Sequence, residues 1–392
     1  MAVRVAATAW FGFSTPHFAD APAYLFAAKA LAQTGTYPLR TDKNFFRPPG
    51  YSVFLDLVTL GHPENIALAK GANALVGALG PLLLAAIALR LFRSRAAALA
   101  AGVAAAFDPS LILVSSDVQS EPLFFVLLLL SGFFLLVCVD RPSSNFGVLA
   151  GALLGLAALT RPSALCVVPL LFGPLADRRY PLRVRWHLAA SALLGFVLSL
   201  APWTLRNAVV YREFIPISDV GGFNFYVGNS EPMARFFQVR TKQEYETWAE
   251  EADHFLDLRV AALRAAGFDS PGALTSELVR ITVAQGLAAP GAAARLLWHK
   301  ALDWLRPYPN PLFWPTPVVV GIGLLYGGLT LLAARGLLIG PRRGASLFCV
   351  GLLVLSMAAH VLTVVSWRYR VPYWDPVLIL YGAFGVLRGR SG

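Results

Sequence analysis

Residues 18–51 read FADAPAYLFAAKALAQTGTYPLRTDKNFFRPPGY, and they set a carboxylate, several cations and a proline turn between apolar segments. Asp20 opens a run in which Tyr24, Ala27, Ala28 and Leu31 share one helical face, and Gly35 with Pro38 closes it. Arg47 then precedes Pro48 and Pro49, which hold the chain extended. An acid and a base are thereby presented on a short, stiff connection at the edge of apolar sequence.

The rest of the 392 residues reads as a body beneath that connection. The chain is 57% hydrophobic and only 14% charged, with a mean hydropathy of +0.60, which predicts a multi-span membrane protein rather than a soluble domain. A net charge of +11 would suit nucleic acid, but the arginines fall in short clusters between apolar runs, where bilayer orientation accounts for them. Nucleic acid is not an expected partner; membrane lipids are. Cys138, Cys166 and Cys349 all lie in apolar segments and read as small hydrophobes, not as disulfide or metal ligands.

Residues 3–13 are apolar but about half the roughly 20 residues a span needs, and no cleavage site for a secretory signal follows. Residues 49–60 form a short apolar helix, and 66–88 span toward Arg90, Arg93 and Arg95 on the cytoplasmic side. Residues 96–107 return, 111–121 run along the far surface to Asp117 and Glu121, and 122–139 go inward. Residues 145–175 are interrupted by Thr160, Arg161 and Pro162. Reading them as two shallow passes puts Arg178, Arg179, Arg183 and Arg185 inside, as the positive-inside rule prefers. After an outward span at 188–203, about a hundred polar residues beginning at Arg206 are too many for a plain connection, and their helical spacing predicts a small external cap. Spans at 314–334, 345–365 and 374–387 follow, with Arg335, Arg342, Arg343, Arg388 and Arg390 inside and Trp367 to Arg370 outside. The expected fold is all-α and integral to the membrane: about ten transmembrane helices, the first short and two shallow. It divides at 1–204, 205–312 (the cap) and 313–392. Gly147, Gly151 and Gly155, and again Gly321, Gly323 and Gly327, offer small-residue faces for close helix contact.

Although built from the inner arginines, this topology gathers Asp20, Arg47, Asp117, Glu121, Arg161, Arg206, Arg368 and Arg370 at one external face. Ionisable groups beside hydrocarbon are costly and by default mark a functional site. Arginines around a few acids would suit a phosphate, with the acids free to orient or deprotonate a hydroxyl. Plainer roles stand beside this one. Asp20 would serve equally as a helix cap, Arg47 as an interfacial cation, and Arg368 and Arg370 as anchors in an aromatic belt. Asp117 and Glu121 would serve as a solvated helix end, whereas Arg161 has no evident structural need for its charge. His17, His62, His254 and His299 show no metal-ligand spacing, and no Walker loop, zincin motif or nucleophile elbow occurs.

DAPAYLFAAKALAQTG, FFRPPGYSVFL, SDVQSEPLFF, GLAALTRPSALCVVPLL, APWTLRNAVVYREFIPIS, GGFNFYVGN and RYRVPYWDPVLIL follow one another along the chain. In that order they resemble the membrane-embedded GT-C glycosyltransferases, in particular protein O-mannosyltransferases and the bacterial lipid A aminoarabinose transferase. The resemblance implies a GT-C-like bundle and inverting transfer of a hexose or pentose from a polyprenyl-phosphate donor. The acceptor would be a hydroxyl on a lipid, glycan or protein at the non-cytoplasmic face of a bacterial inner membrane. It implies Asp20 as base or orienter of the acceptor, with Asp117 and Glu121 as the acids of the second external loop. Arg47 would contact the lipid phosphate, and Arg161, Arg206 and Arg368 would bind phosphate or fix loops, with Tyr24 and Arg370 completing the substrate-binding set. Ala21 stands where the eukaryotic mannosyltransferases have an acid, and Phe46 where the aminoarabinose enzymes have a candidate metal-binding acid. No metal ligand is therefore assigned, and a divalent metal is left open. Two other classes remain at this point: a transporter or flippase of lipid-linked saccharides, and a non-catalytic membrane subunit acting through the cap.

Overall fold

The computed structural model describes residues 1–41, 45–340 and 343–387, and every regular element among them is helical. The expectations for Arg342, Arg388 and Arg390 lie outside the described residues, as does the side chain of Arg343.

The chain opens with α1 (Ala2–Phe11), α2 (Ala21–Thr34) and α3 (Pro49–Val58). Gly35 ends α2 in the left-handed region (φ 68°), and Pro48 leads into α3 from an extended conformation. Helix α4 (Ile66–Phe92) starts where Asn65 accepts a hydrogen bond from the Leu68 N–H. Ser94 caps α5 (Arg95–Phe107) in the same way through Ala97. Asp108 then accepts from the Leu111 N–H and Pro109 occupies the first turn of α6 (Pro109–Ser115), so the pair bends by 53° instead of continuing straight. Helix α7 (Glu121–Asp140) begins with Glu121 and Pro122, an acid and a proline in the first turn.

Helices α8 (Ser144–Thr160) and α9 (Leu182–Tyr211), joined through the 3-10 helix Pro162–Ala176, are the closest-packed pair. A methyl group on Gly151 would lie 1.7 Å from the Ala192 carbonyl oxygen, and Gly147 and Gly155 face Ser191 and Ser199 as closely, so the first predicted glycine face is used. The second is not. Among the described residues, Gly321 and Gly327 meet nothing within 4 Å, and the close approach between α15 (Thr316–Ile339) and α18 (Trp374–Leu387) is made by Gly336 against Tyr381 and Gly385 against Leu332.

Five helices, α4, α7, α9, α15 and α16 (Arg343–Leu362), are long and apolar enough to cross a membrane, or six with the bent α5–α6 pair. The expected ten passes also count four shorter apolar helices, α1, α8, the 3-10 helix and α18. The protein is a multi-pass, all-helical membrane protein.

Between α9 and α15 the chain forms α10 (Val220–Gly228), α11 (Glu231–Phe236), α12 (Lys242–Ala265), α13 (Pro271–Ala288) and α14 (Pro290–Leu305). A reciprocal capping box of Thr241 and Glu244 starts α12, Ser270 caps α13, and Tyr226, Val260, Leu263, Leu274 and Leu278 give these helices a core of their own. The cap is tied down by Lys300, fully buried, which donates to the Gly228 carbonyl and to Asn229 Oδ1, while Asn229 Nδ2 donates to the Leu362 carbonyl at the end of α16.

Candidate active site

Five charges from four separate parts of the chain alternate at one rim of the bundle. Asp20 Oδ1 lies 3.0 Å from Arg47 Nη2, and Asp20 Oδ2 accepts from Arg368 Nη2. Arg368 Nε lies 3.7 Å from Glu121 Oε1, which is 2.8 Å from Arg161 Nη1. The order is Arg47, Asp20, Arg368, Glu121, Arg161. Three guanidiniums against two carboxylates leave a surplus of positive charge, the electrostatics an anion needs.

Backbone geometry explains how each member is aimed. Asp20 occupies the N-cap position of α2 but makes no capping hydrogen bond; both its oxygens are committed to arginines, so the plain capping role is not the one it fills. Glu121 starts α7 with only 2% of its side chain exposed, and Arg161 ends α8 with its backbone extended (φ −144°). Arg368 lies on the single turn α17 (Trp367–Arg370). The guanidiniums also lie over rings: Arg47 over Tyr24 at 5.2 Å, and Arg161 and Arg368 over Tyr369 at 5.1 Å each. Burial by itself would raise the pKa of Asp20, but Arg368, Arg47 and Arg161 outweigh it and hold the carboxyl at about 2.

Two residues that the sequence reading did not single out join this set. Ser120 Oγ accepts from Arg161 Nη1 at 3.0 Å and lies 3.3 Å from the Tyr24 hydroxyl. Tyr369 supplies the ring shared by two arginines. Their only signal was adjacency, Ser120 to Glu121 and Tyr369 to Arg368.

A family model described as dolichyl-phosphate-mannose-protein mannosyltransferase matches residues 47–204. No curated protein matches the chain. Among solved structures, the archaeal oligosaccharyltransferase AglB from Archaeoglobus fulgidus, in complex with an inhibitory peptide and a dolichol-phosphate, aligns with a TM-score of 0.58 at 14% identity over 99% of this chain and 50% of that one. The apo form of an oligosaccharyltransferase from the same organism also gives 0.58, at 16% identity over 99% and 50%. ArnT from Cupriavidus metallidurans bound to undecaprenyl phosphate aligns with a TM-score of 0.45 at 17% identity, over 100% and 77%. This is the GT-C glycosyltransferase fold. The chain spans about half the length of the oligosaccharyltransferases it matches.

Within this GT-C framework three of the expected site residues take other places. Asp117 does not face the arginines: its Oδ1 is 3.1 Å from Lys70 Nζ and its Oδ2 accepts from the His17 N–H at 2.7 Å, with both ionic side chains at or below 2% exposure. Lys70 also donates to the Gly12 and Thr15 carbonyls, so this buried pair pins residues 12–17, the segment that delivers Asp20. Asn73 adds donations to the Asp117 and Gln119 carbonyls and to the Tyr51 hydroxyl. Arg206 sits in a box of Trp203, Tyr211 and Tyr37 and donates to the Tyr37 carbonyl at 2.8 Å; the Tyr37 hydroxyl in turn donates to the Arg47 carbonyl at 2.9 Å. It thus braces the loop that presents Arg47. Phe46 N–H donates to Asp219 Oδ1 and its ring stacks on Tyr211, latching the same loop to the start of the cap.

Arg370 points away from Arg368 into the bundle. It lies 3.7 Å from Asp375 Oδ1 and donates to the Arg306 carbonyl, beside Tyr326, whose hydroxyl donates to Asp108 Oδ2 at 2.7 Å. Among the described residues, no group of three His, Cys, Asp or Glu side chains is placed to hold a metal ion.

Proposed function

We propose that the protein is a membrane glycosyltransferase that moves a sugar from a polyprenyl-phosphate donor to an acceptor hydroxyl, with inversion, on the non-cytoplasmic face of a bacterial inner membrane. The observation that carries this is the alternating row of Arg47, Asp20, Arg368, Glu121 and Arg161 at one rim of a GT-C bundle. Its surplus guanidinium charge matches a phosphate whose negative charge grows as the bond to the sugar breaks.

The acceptor oxygen attacks the anomeric carbon from the side opposite the phosphate. The carbon–oxygen bond to the phosphate breaks with its electron pair going to the phosphate oxygen, and the hydroxyl proton passes to Asp20. Arg161 and Arg368 receive the polyprenyl phosphate as it leaves, so no second acid is needed to protonate it. A carboxyl held at about 2 is a weak base. A donor phosphate competing for Arg368 and Arg47 would loosen that hold and make Asp20 more basic only when donor is present. Glu121 keeps Arg161 and Arg368 apart and in place, whereas Asp117, Arg206 and Arg370 act as supports for the segments carrying Asp20, Arg47 and Arg368.

The test is to incubate purified protein with a panel of polyprenyl-phosphate hexoses and pentoses and lipid, glycan and peptide acceptors, following release of free polyprenyl phosphate. Release dependent on one donor and one acceptor class is the expected result. Movement of intact lipid-linked saccharide across vesicles without release would replace the enzyme by a flippase.

A further inference from the structure

A cavity of about 990 Å³ lies between α7, the 3-10 helix, α16 and α18, with apolar walls that include Leu135, Leu170, Phe348 and Leu380. Its volume is at the upper end of the roughly 300–1,000 Å³ usual for small-molecule sites. The charged residues on its lining are Arg93, Asp177, Arg178 and Arg179, and none of Asp20, Arg47, Glu121, Arg161 or Arg368 touches it.

Those charges lie at the end of the bundle opposite the candidate active site. Lys70, near the start of α4, binds Asp117 on the active-site side, and Arg93 follows the last residue of the same helix, roughly 35 Å further on at 1.5 Å per residue. Arg179 is neutralised by Asp177, which it grips at 2.6 Å. Among the described residues the guanidiniums of Arg93 and Arg178 have no hydrogen-bonded or ionic partner, and both are exposed. Two free cations therefore stand at the mouth of a slot whose depth is leucine, phenylalanine and proline.

We propose that this cavity binds an anionic glycerophospholipid of the leaflet opposite the active site, its headgroup phosphate on Arg93 and Arg178 and its acyl chains between α7 and α16. Charge direction selects this occupant over the donor lipid. A donor with its phosphate at Arg161 and Arg368 would have to bring its apolar far end to the guanidiniums, whereas a lipid of the opposite leaflet brings its phosphate there and its chains into the apolar depth. The site is independent of the sugar-transfer reaction.

Wild-type protein, the R93Q/R178Q double variant and G132F are equilibrated with nanodiscs of equal phosphatidylglycerol and phosphatidylcholine, repurified in mild detergent, and their retained lipid counted by native mass spectrometry. Gly132 lines the cavity and a Cβ added there meets nothing within 4 Å, so a phenylalanine can leave the backbone at this point toward the slot. The wild type is expected to retain phosphatidylglycerol with a preference on the order of tenfold, the scale set by two cations near an anionic headgroup. R93Q/R178Q should lose the preference, and G132F should lose the retained lipid. Equal retention of both lipids by the wild type, unchanged retention in both variants, or recovery of polyprenyl phosphate from this slot overturns the assignment.

Discussion

At the scale of single residues, the decisive fact is that Asp20 is claimed by Arg47 and Arg368 and not by its own helix. Asp20→Asn should lower transfer by about 10²–10⁴, the range for loss of a positioned base, measured as release of polyprenyl phosphate. Stability gives a separate check. The folded carboxyl is depressed from 3.8 to about 2, so its contribution is present above the unfolded value and disappears as pH falls through the folded one. The variant should therefore unfold about 1–2 kcal/mol more easily than wild type at neutral pH, with the difference shrinking below about pH 4 and vanishing only below pH 2. Lys70→Met leaves Asp117 buried without its cation and should cost about 3–5 kcal/mol, read as a lower melting temperature in detergent; an unchanged melting temperature would refute the tether of residues 12–17. Asp20, Arg47, Glu121, Arg161 and Arg368 were readable from sequence because charge beside hydrocarbon is rare and the ordered motifs carried them. Of the three residues that take other places, Asp117 and Arg370 share one reason: position along the chain does not say which neighbour a buried charge meets. Lys70 and Asp375 were those neighbours, and each sits inside what reads as an ordinary apolar helix.

Among the helices, α8 and α9 set how rigidly Arg161 is held, since Arg161 ends α8 and its backbone N–H closes on the Ala157 carbonyl. Gly151→Leu would drive a side chain into the Ala192 carbonyl, 1.7 Å from where its first carbon must go. Because that obstacle is backbone, the helices must separate, and a loss of about 3 kcal/mol or more is expected, seen as a collapsed yield of monodisperse protein. Gly132→Ala, facing open space, should leave the yield unchanged. The regular spacing of Gly147, Gly151 and Gly155 announced this contact. Gly336 and Gly385 escaped notice because they lie on different helices, and no pattern in one segment reveals a pairing made between two.

For the whole molecule, the alternation of sides is open to direct measurement. Arg95→Cys, exposed at the start of α5, and Glu246→Cys, exposed on the cap, should react with a membrane-impermeant maleimide from opposite faces of the membrane; labelling of both from one face would reverse the arrangement. Of the native thiols, Cys138 and Cys349 are buried, and the half-buried Cys166 is replaced by serine in both variants. The number of crossings was not legible in the sequence, because α1, α8, the 3-10 helix and α18 are each too short for length to settle whether they cross. One of these, α18, is buried along nearly its whole length, packed with residues of α4, α5 and α15, and it follows directly on the turn bearing Arg368. The ribosome thus delivers the keystone of the first core and the central cation of the reactive row within the same few residues. Until translation has passed that point, the nascent chain holds inserted helices around an unfilled slot and an Asp20 lacking Arg368. Prematurely terminated products should accordingly be silent as enzymes and ready substrates for membrane proteolysis.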